Sequence, residues 1–239
     1  MNNLAEIWVY LAQEPLTALT ATLIAWLLAS RLQALSGRHP LVNPVLITVA
    51  LLAAGLLVTG MPYRDYFQGA QFVHFLLGPA TVALAIPLHR QWRTIRSSFA
   101  AIAISVVFGG MFAAAVGVAI AIAGGAEPAV YASLAPKSVT TPVAMGVAER
   151  LGGLPSLTAA VVICSGIVGA SLGPTTLNAV RVRDWRARGM AIGTVSHGIG
   201  TARALSVNAT AGAFSGLAMG LNALATAILL PLLWHLVFG

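Results

Sequence analysis

The chain has 239 residues, of which 58% are hydrophobic and only 8% are Asp, Glu, Lys or Arg. A soluble domain carries about 25% charged residues, so this composition excludes an ordinary soluble fold and points to a bilayer. The formal net charge of +7 would suggest nucleic acid in a soluble protein. Here no basic patch is interleaved with aromatics, and the charge reflects Lys and Arg kept on cytoplasmic loops.

The opening MNNLAEIWVY has no basic n-region, so it is expected to be retained rather than cleaved. A flanking helix over about 15–35 comes first. Apolar runs free of charge follow at 41–63, 66–88, 97–126, 151–180 and 204–239. Most exceed the roughly 20 residues that cross a hydrocarbon core of about 30 Å. Two shorter apolar pieces lie at 128–148, interrupted by Lys137, and at 189–202, bounded by Arg203. The expectation is an all-α polytopic membrane protein with about seven to eight hydrophobic elements in one domain spanning 1–239. Basic residues cluster at Arg31/Arg38, Arg90/Arg93/Arg96 and Arg181/Arg183/Arg186/Arg188, which places the 31–40 and 89–96 loops in the cytoplasm. Cys164 is the only cysteine; its apolar neighbours suit a packing role and it cannot form an intrachain disulfide.

Self-similarity suggests two structural repeats, over about 40–125 and 137–225. Thr141-Pro142-Val143 echoes Asn43-Pro44-Val45 at an offset of 98, and Leu172-Gly173-Pro174 echoes Leu77-Gly78-Pro79 at 95. Gly-Pro inside an apolar run frees backbone groups that lipid cannot satisfy. Paired interruptions in two halves point to the binding site of a secondary transporter, of elevator-like architecture. Helix breaks are therefore expected at Gly78, Pro79, Pro142, Gly173 and Pro174. An odd number of crossings per repeat makes the repeats inverted but sets the 181–188 loop outside; a re-entrant 131–148 segment returns both basic loops to the cytoplasm. Both topologies fit the sequence.

Two polar constellations stand out. In PKSVTTPVAM, Lys137 is a costly cation in an apolar run, bracketed by Pro136 and Pro142. Such residues face a cavity or a partner. With Ser138, Thr140 and Thr141 beside it, Lys137 suits a small anion carrying a hydroxyl or keto group. In SHGIGTAR, Gly198 and Gly200 would open a helix. There Ser196 and Thr201 offer hydroxyls, His197 can exchange a coupled proton, and Arg203 can hold a carboxylate. Asn43 joins the substrate-binding set because it matches Thr141 in the repeat. No H-E-x-x-H, Walker loop or Cys/His metal spacing occurs, so no enzymatic activity, cofactor or metal is expected.

The stretches KSVTTPVAM at 137–145, GASLGP at 169–174, SHGIGTARA at 196–204 and NPVLI at 43–47 resemble the LrgB/CidB family over essentially the whole chain. The resemblance implies a multi-pass protein of the bacterial cytoplasmic (inner) membrane, a homo-oligomer such as a dimer, working with a small LrgA/CidA-like membrane protein. Family members were first described as antiholin- or holin-like modulators of murein hydrolase export and autolysis. A plant chloroplast-envelope relative exchanges glycolate and glycerate, and bacterial relatives are linked to pyruvate-type uptake. The expected function is transport of small 2-hydroxy or 2-keto monocarboxylates, with proton coupling. The alternative is modulation of cell-wall lysis through an oligomer.

Overall fold

The computed structural model describes residues 15–37, 42–76, 79, 82–83 and 85–239, and all regular structure among them is helical. The Gly78 position expected to break a helix lies outside the described residues. The chain divides into two compact units at residue 83. The first copy of the expected repeat, 40–125, therefore runs across both.

The first unit holds α1 (Pro15–Leu35), α2 (Pro44–Thr59) and α3 (Tyr63–Phe75). Asn43 opens α2 as an N-cap, its side chain accepting from Val45 N at 2.9 Å, with Pro44 in the first turn. Proline there sacrifices an N–H that has no helical partner anyway. Gly60 closes the helix at φ 67, in the left-handed region that a Cβ disfavours. The hydroxyls of Thr22 on α1 and Tyr66 on α3 meet at 2.7 Å. A cavity of about 380 Å³ opens between α1, α2 and Tyr66, lined by Ala21, Ala25, Leu52 and Leu56.

The second unit begins with two short helices, α4 (Ala85–Arg90) and α5 (Trp92–Ser97), and a long one, α6 (Phe99–Ala123). Two brief helices follow, α7 (Pro128–Leu134) and α8 (Thr141–Arg150), then α9 (Pro155–Ala179), α10 (Trp185–Val207) and α11 (Ala209–Phe238). At 1.5 Å per residue α6 and α9 are about 37 Å long and α11 about 45 Å, whereas α7 and α8 reach only about 10 and 15 Å. Four described helices are long and apolar enough to cross a membrane: α1, α6, α9 and α11. Of the other described helices, α2 is apolar but shorter and α10 is too polar.

Packing fixes the direction of each segment in this unit. Ile95 of α5 packs with Ile102 of α6, Met190 of α10 and Phe214 of α11, so these three helices start at one end. Val118 of α6, Tyr131 of α7, Leu151 after α8 and Trp234 of α11 pack together at the other. The chain thus crosses along α6, dips inward along α7, and returns along α8. The 131–148 segment is a hairpin that turns back within the length of α6. It then crosses back along α9.

Next, α10 leaves the first end and breaks at His197, which has φ 41 and ψ −131. Beyond the break the chain doubles back. Ala204 shares a cluster with Ile192 and Ala211, although twelve residues of straight helix would separate 192 from 204 by about 18 Å. A second inward hairpin results, with limbs 185–196 and 198–207. The sequence placed the opening at Gly198 and Gly200; the strained residue is His197 itself, and the glycines sit on the returning limb. Gly200 lets that limb close, since a Cβ there would stand 2.7 Å from Ile192 Cγ2. The hairpin also packs backbone to backbone on α11, where a Cβ on Gly193 would fall 2.1 Å from the Ser215 carbonyl.

The other two interruptions differ from expectation. Pro142 lies in the first turn of α8, so the break is the preceding 135–140 loop. Pro174 lies inside α9, which continues through Gly173-Pro174 to Ala179. The proline forfeits its own amide bond to the carbonyl four residues earlier, and Arg188 reinforces this end of the helix. Arg188 donates to Asn178 Oδ1 and the Val182 carbonyl, both at 2.8 Å, and lies over the Trp185 ring.

Candidate functional site

Both polar constellations become hairpin tips. The 135–140 tip is the turn between α7 and α8, and its fixed φ/ψ come from local bonds, Lys137 N to Leu134 O and Val139 N to Pro136 O, both at 3.2 Å. Lys137 Nζ donates to the Ala113 carbonyl at 2.7 Å. Ala113 lies about 21 Å along the 37 Å of α6, so the ammonium sits near mid-depth. Gly117, one turn on, makes this possible: a Cβ there would stand 2.3 Å from Nζ. A charge-assisted bond to a carbonyl offsets part of the desolvation of an ammonium that no described carboxylate pairs.

The second tip is His197, 4% exposed. Its Nε2 lies 2.9 Å from the Val162 carbonyl on α9. A carbonyl only accepts, so Nε2 carries the proton. Gly166, again one turn on, clears the ring, since a Cβ there would meet Nε2 at 2.7 Å. The two tips are seated alike: a polar head on a carbonyl in mid-helix, beside a glycine four residues later. Thr201 returns the strained peptide to the fold by donating to the His197 carbonyl at 2.8 Å, and its Oγ1 also lies 2.9 Å from Ser215 Oγ on α11.

The same two helices hold both tips. On α9, Ser165 Oγ donates to the Lys137 carbonyl at 2.9 Å, within one turn of the Val162 carbonyl that receives His197. On α11, Asn222 is fully buried, and its Nδ2 donates to Ser138 O at 3.3 Å and Thr194 O at 2.9 Å. Its Oδ1 occupies the space above Gly110 of α6, where a Cβ would be 2.0 Å away. The sequence reading passed over Ser165 and Asn222. A lone asparagine in an otherwise apolar run is the signal that could have found Asn222.

The structure brings together Lys137, Ser138, Ser196, His197 and Thr201. Ser196 is 1% exposed and packed on Gly169, where a Cβ would fall 2.0 Å from its Oγ. Thr140 holds the N-cap position of α8 without capping through its side chain, and Thr141 opens that helix. Both α8 and the 198–207 limb thus start at a tip, directing their positive N-terminal ends inward. Arg203 lies six residues beyond His197 on the returning limb, half-buried. Asn43 belongs to the first unit, where its side chain caps α2. Pro79 is exposed. Cys164 is exposed on α9 rather than packed inside, because its neighbours Val162 and Gly166 take the inward face. Among the described residues no cluster of His, Cys, Asp or Glu could hold a metal.

Two inward-directed helix starts, one ammonium and a set of hydroxyls are thus gathered against α9 and α11. Residues 22–236 match the model of the LrgB-like family. The chain is 38% identical over 193 residues to the uncharacterised protein YxaC of Bacillus subtilis, covering 81% of this chain and 84% of that one. It is 36% identical over 196 residues to an uncharacterised Haemophilus influenzae protein, with coverage of 82% and 85%. It is 31% identical over 220 residues to the holin-like protein CidB of Staphylococcus aureus, with coverage of 92% and 96%. No solved structure matches it. With the match running through both hairpins and all three long helices of the second unit, the chain belongs to the LrgB-like family of multi-pass membrane proteins.

Proposed function

We propose that this protein is a carrier of small 2-hydroxy or 2-keto monocarboxylates, of the size of glycolate, glycerate, lactate or pyruvate. One observation carries the reading: two opposed helical hairpins whose tips meet the same turn of α9 and the same asparagine of α11 at mid-depth. Irregular backbone at that depth suits a cavity site, and half-helix N-termini there favour an anion. Lys137 supplies the full positive charge. Ser138, Thr140, Thr141 and Ser196 supply hydroxyls sized for a 2-oxygen substituent, and His197 a titratable group for proton coupling. The hairpin-then-span order occurs twice, α7/α8 with α9 and then α10 with α11, entering from opposite ends. That inverted pair supports an elevator-like unit, with a repeat of about 55 residues inside the second unit as its nearest form. The end carrying Arg96 and Arg181–Arg188 is assigned to the cytoplasm of a bacterial inner membrane. A homodimer and a small LrgA-like partner belong to the same proposal.

The second reading is a holin-like modulator of murein hydrolase export acting as an oligomer. The relatives' printed name, holin-like protein, favours it, and α6 presents an outward apolar stripe, Ile104, Phe108, Phe112 and Ile120, that an oligomer could cover. Purified protein in liposomes separates the two. Saturable uptake of labelled glycolate or pyruvate, with a trapped fluorescent dye retained, is the expected result. Dye release without saturable uptake would overturn the carrier reading.

A further inference from the structure

From the position of Asn222 we infer that this residue is the positioning clamp of the site, tying the two hairpin tips into one rigid body. Its carboxamide has two donor hydrogens, and each meets a carbonyl of a different hairpin: Ser138 O in the first tip, Thr194 O just before the break in the second. Carbonyls cannot donate, so the nitrogen end must face them. The oxygen end is fixed in turn by Thr226 Oγ1, 3.5 Å away, and by the gap over Gly110. The break at His197 takes Thr194 out of a regular ladder, so its carbonyl is one that a straight helix would have satisfied by itself. Asn222 therefore repairs the second hairpin while gripping the first. No other described side chain donates to both. Ser165 holds only the Lys137 tip, and the contact with Val162 holds only His197.

The consequence is mechanical. A single tip cannot leave the site without releasing one Asn222 bond in a place water does not reach, so the tips open together or the clamp must break. The purpose of the clamp rests on the carrier reading, but the coupling of the tips does not. Hydrogen–deuterium exchange on the full chain in lipid nanodiscs reads it without any substrate. Asn222→Leu keeps the size and removes both donors without burying an ionisable group. Its peptides covering 135–140 and 194–201 should both exchange about tenfold faster, as expected for one buried hydrogen bond lost from each. Ser165→Ala should accelerate only the 135–140 peptide. Should Asn222→Leu loosen the whole unit, Gly110→Ala decides, because its Cβ takes the place of Asn222 Oδ1 and shifts the carboxamide off both carbonyls; it should accelerate both tips and spare α9. Acceleration of one tip alone, or of neither, in the deciding variant overturns the clamp. Absence of glycolate or pyruvate uptake by the parent would strike the carrier reading and leave these exchange results standing.

Discussion

His197 shows how much one residue's backbone can decide. A non-glycine residue at φ 41, ψ −131 is held in a region that costs on the order of 1–3 kcal/mol and persists only where surrounding contacts over-determine it. Here those contacts are Val162 O, Thr201 Oγ1 and the wall at Gly166. Inside an ordinary helix, replacing Ala by Gly destabilises by about 0.5–1 kcal/mol. At this position the order should invert: His197→Gly should melt above His197→Ala, the gap reflecting about 1–2 kcal/mol of relieved strain. Thermal unfolding in detergent measures it, and equal melting would show that the backbone is unstrained. Lys137 offers the matching test of charge. Lys137→Met should weaken monocarboxylate binding by on the order of 2–4 kcal/mol, as when one partner of a buried charged pair is removed. Gly117→Ala should do much the same while leaving the lysine in place, because its Cβ would take the ammonium's seat. Isothermal titration with glycolate and pyruvate reads both; parental affinity in Lys137→Met would remove the lysine from the site.

Among the elements, the second hairpin depends on small residues more than on apolar area. Gly189 and Gly193 bring its outgoing limb against the backbone of α11, with Ala211 O and Ser215 O in the way of any Cβ. Gly193→Ala should therefore cost about 1–3 kcal/mol, the range for overpacking a tight contact, and should lower the melting temperature more than Gly198→Ala, where only Met219 Sδ at 4.0 Å is near. The start of α10 adds a pH-dependent part. Asp184 caps it by accepting from Arg186 N at 2.7 Å. The side-chain hydrogen bond from Arg186 is the largest influence holding the Asp184 carboxyl at about 2, below its usual 3.8. A depressed carboxylate contributes stability that is fully present above the unfolded pKa and is lost as pH falls through the folded one. Melting should thus decline between about pH 4 and 2 in the parent, with a shallower slope in Asp184→Asn, which keeps an acceptor and cannot titrate. The group is exposed, so the effect is small and shrinks in high salt.

For the whole molecule, the packing of Ile95 with Met190 and Phe214 puts the Arg90/Arg93/Arg96 and Arg181–Arg188 clusters at one end of the second unit. Retention of cations in the cytoplasm then gives one orientation. Cys164 is exposed on α9 and must be replaced before single-cysteine labelling. In a Cys164→Ser background, a cysteine at position 91 should react only from the inside and one at position 125, in the turn before α7, only from the outside. Labelling of both from the same side would dismantle the two opposed hairpins.

By itself, the sequence determined the class of the protein and where its two polar constellations lie. Charge content excluded a soluble fold. The Asn-Pro and Thr-Pro pairs, which the sequence offered as repeat echoes and, at Pro142, as a helix break, open α2 and α8 in the structure. The two constellations around Lys137 and His197 were legible because polar residues are expensive in lipid wherever they sit. All of these signals act within about four residues. What only the tertiary structure decided is that 185–207 folds back on itself, that α9 carries Pro174 without breaking, and that Asn222 reaches Ser138, 84 residues away. Periodicity gave no warning, for a physical reason. A helix in lipid is as apolar outside as inside, so the pattern that reveals a buried face in a soluble protein is erased. The inward faces here are marked instead by glycines 110, 117, 166 and 193, whose meaning appears only when the partner side chains stand against them.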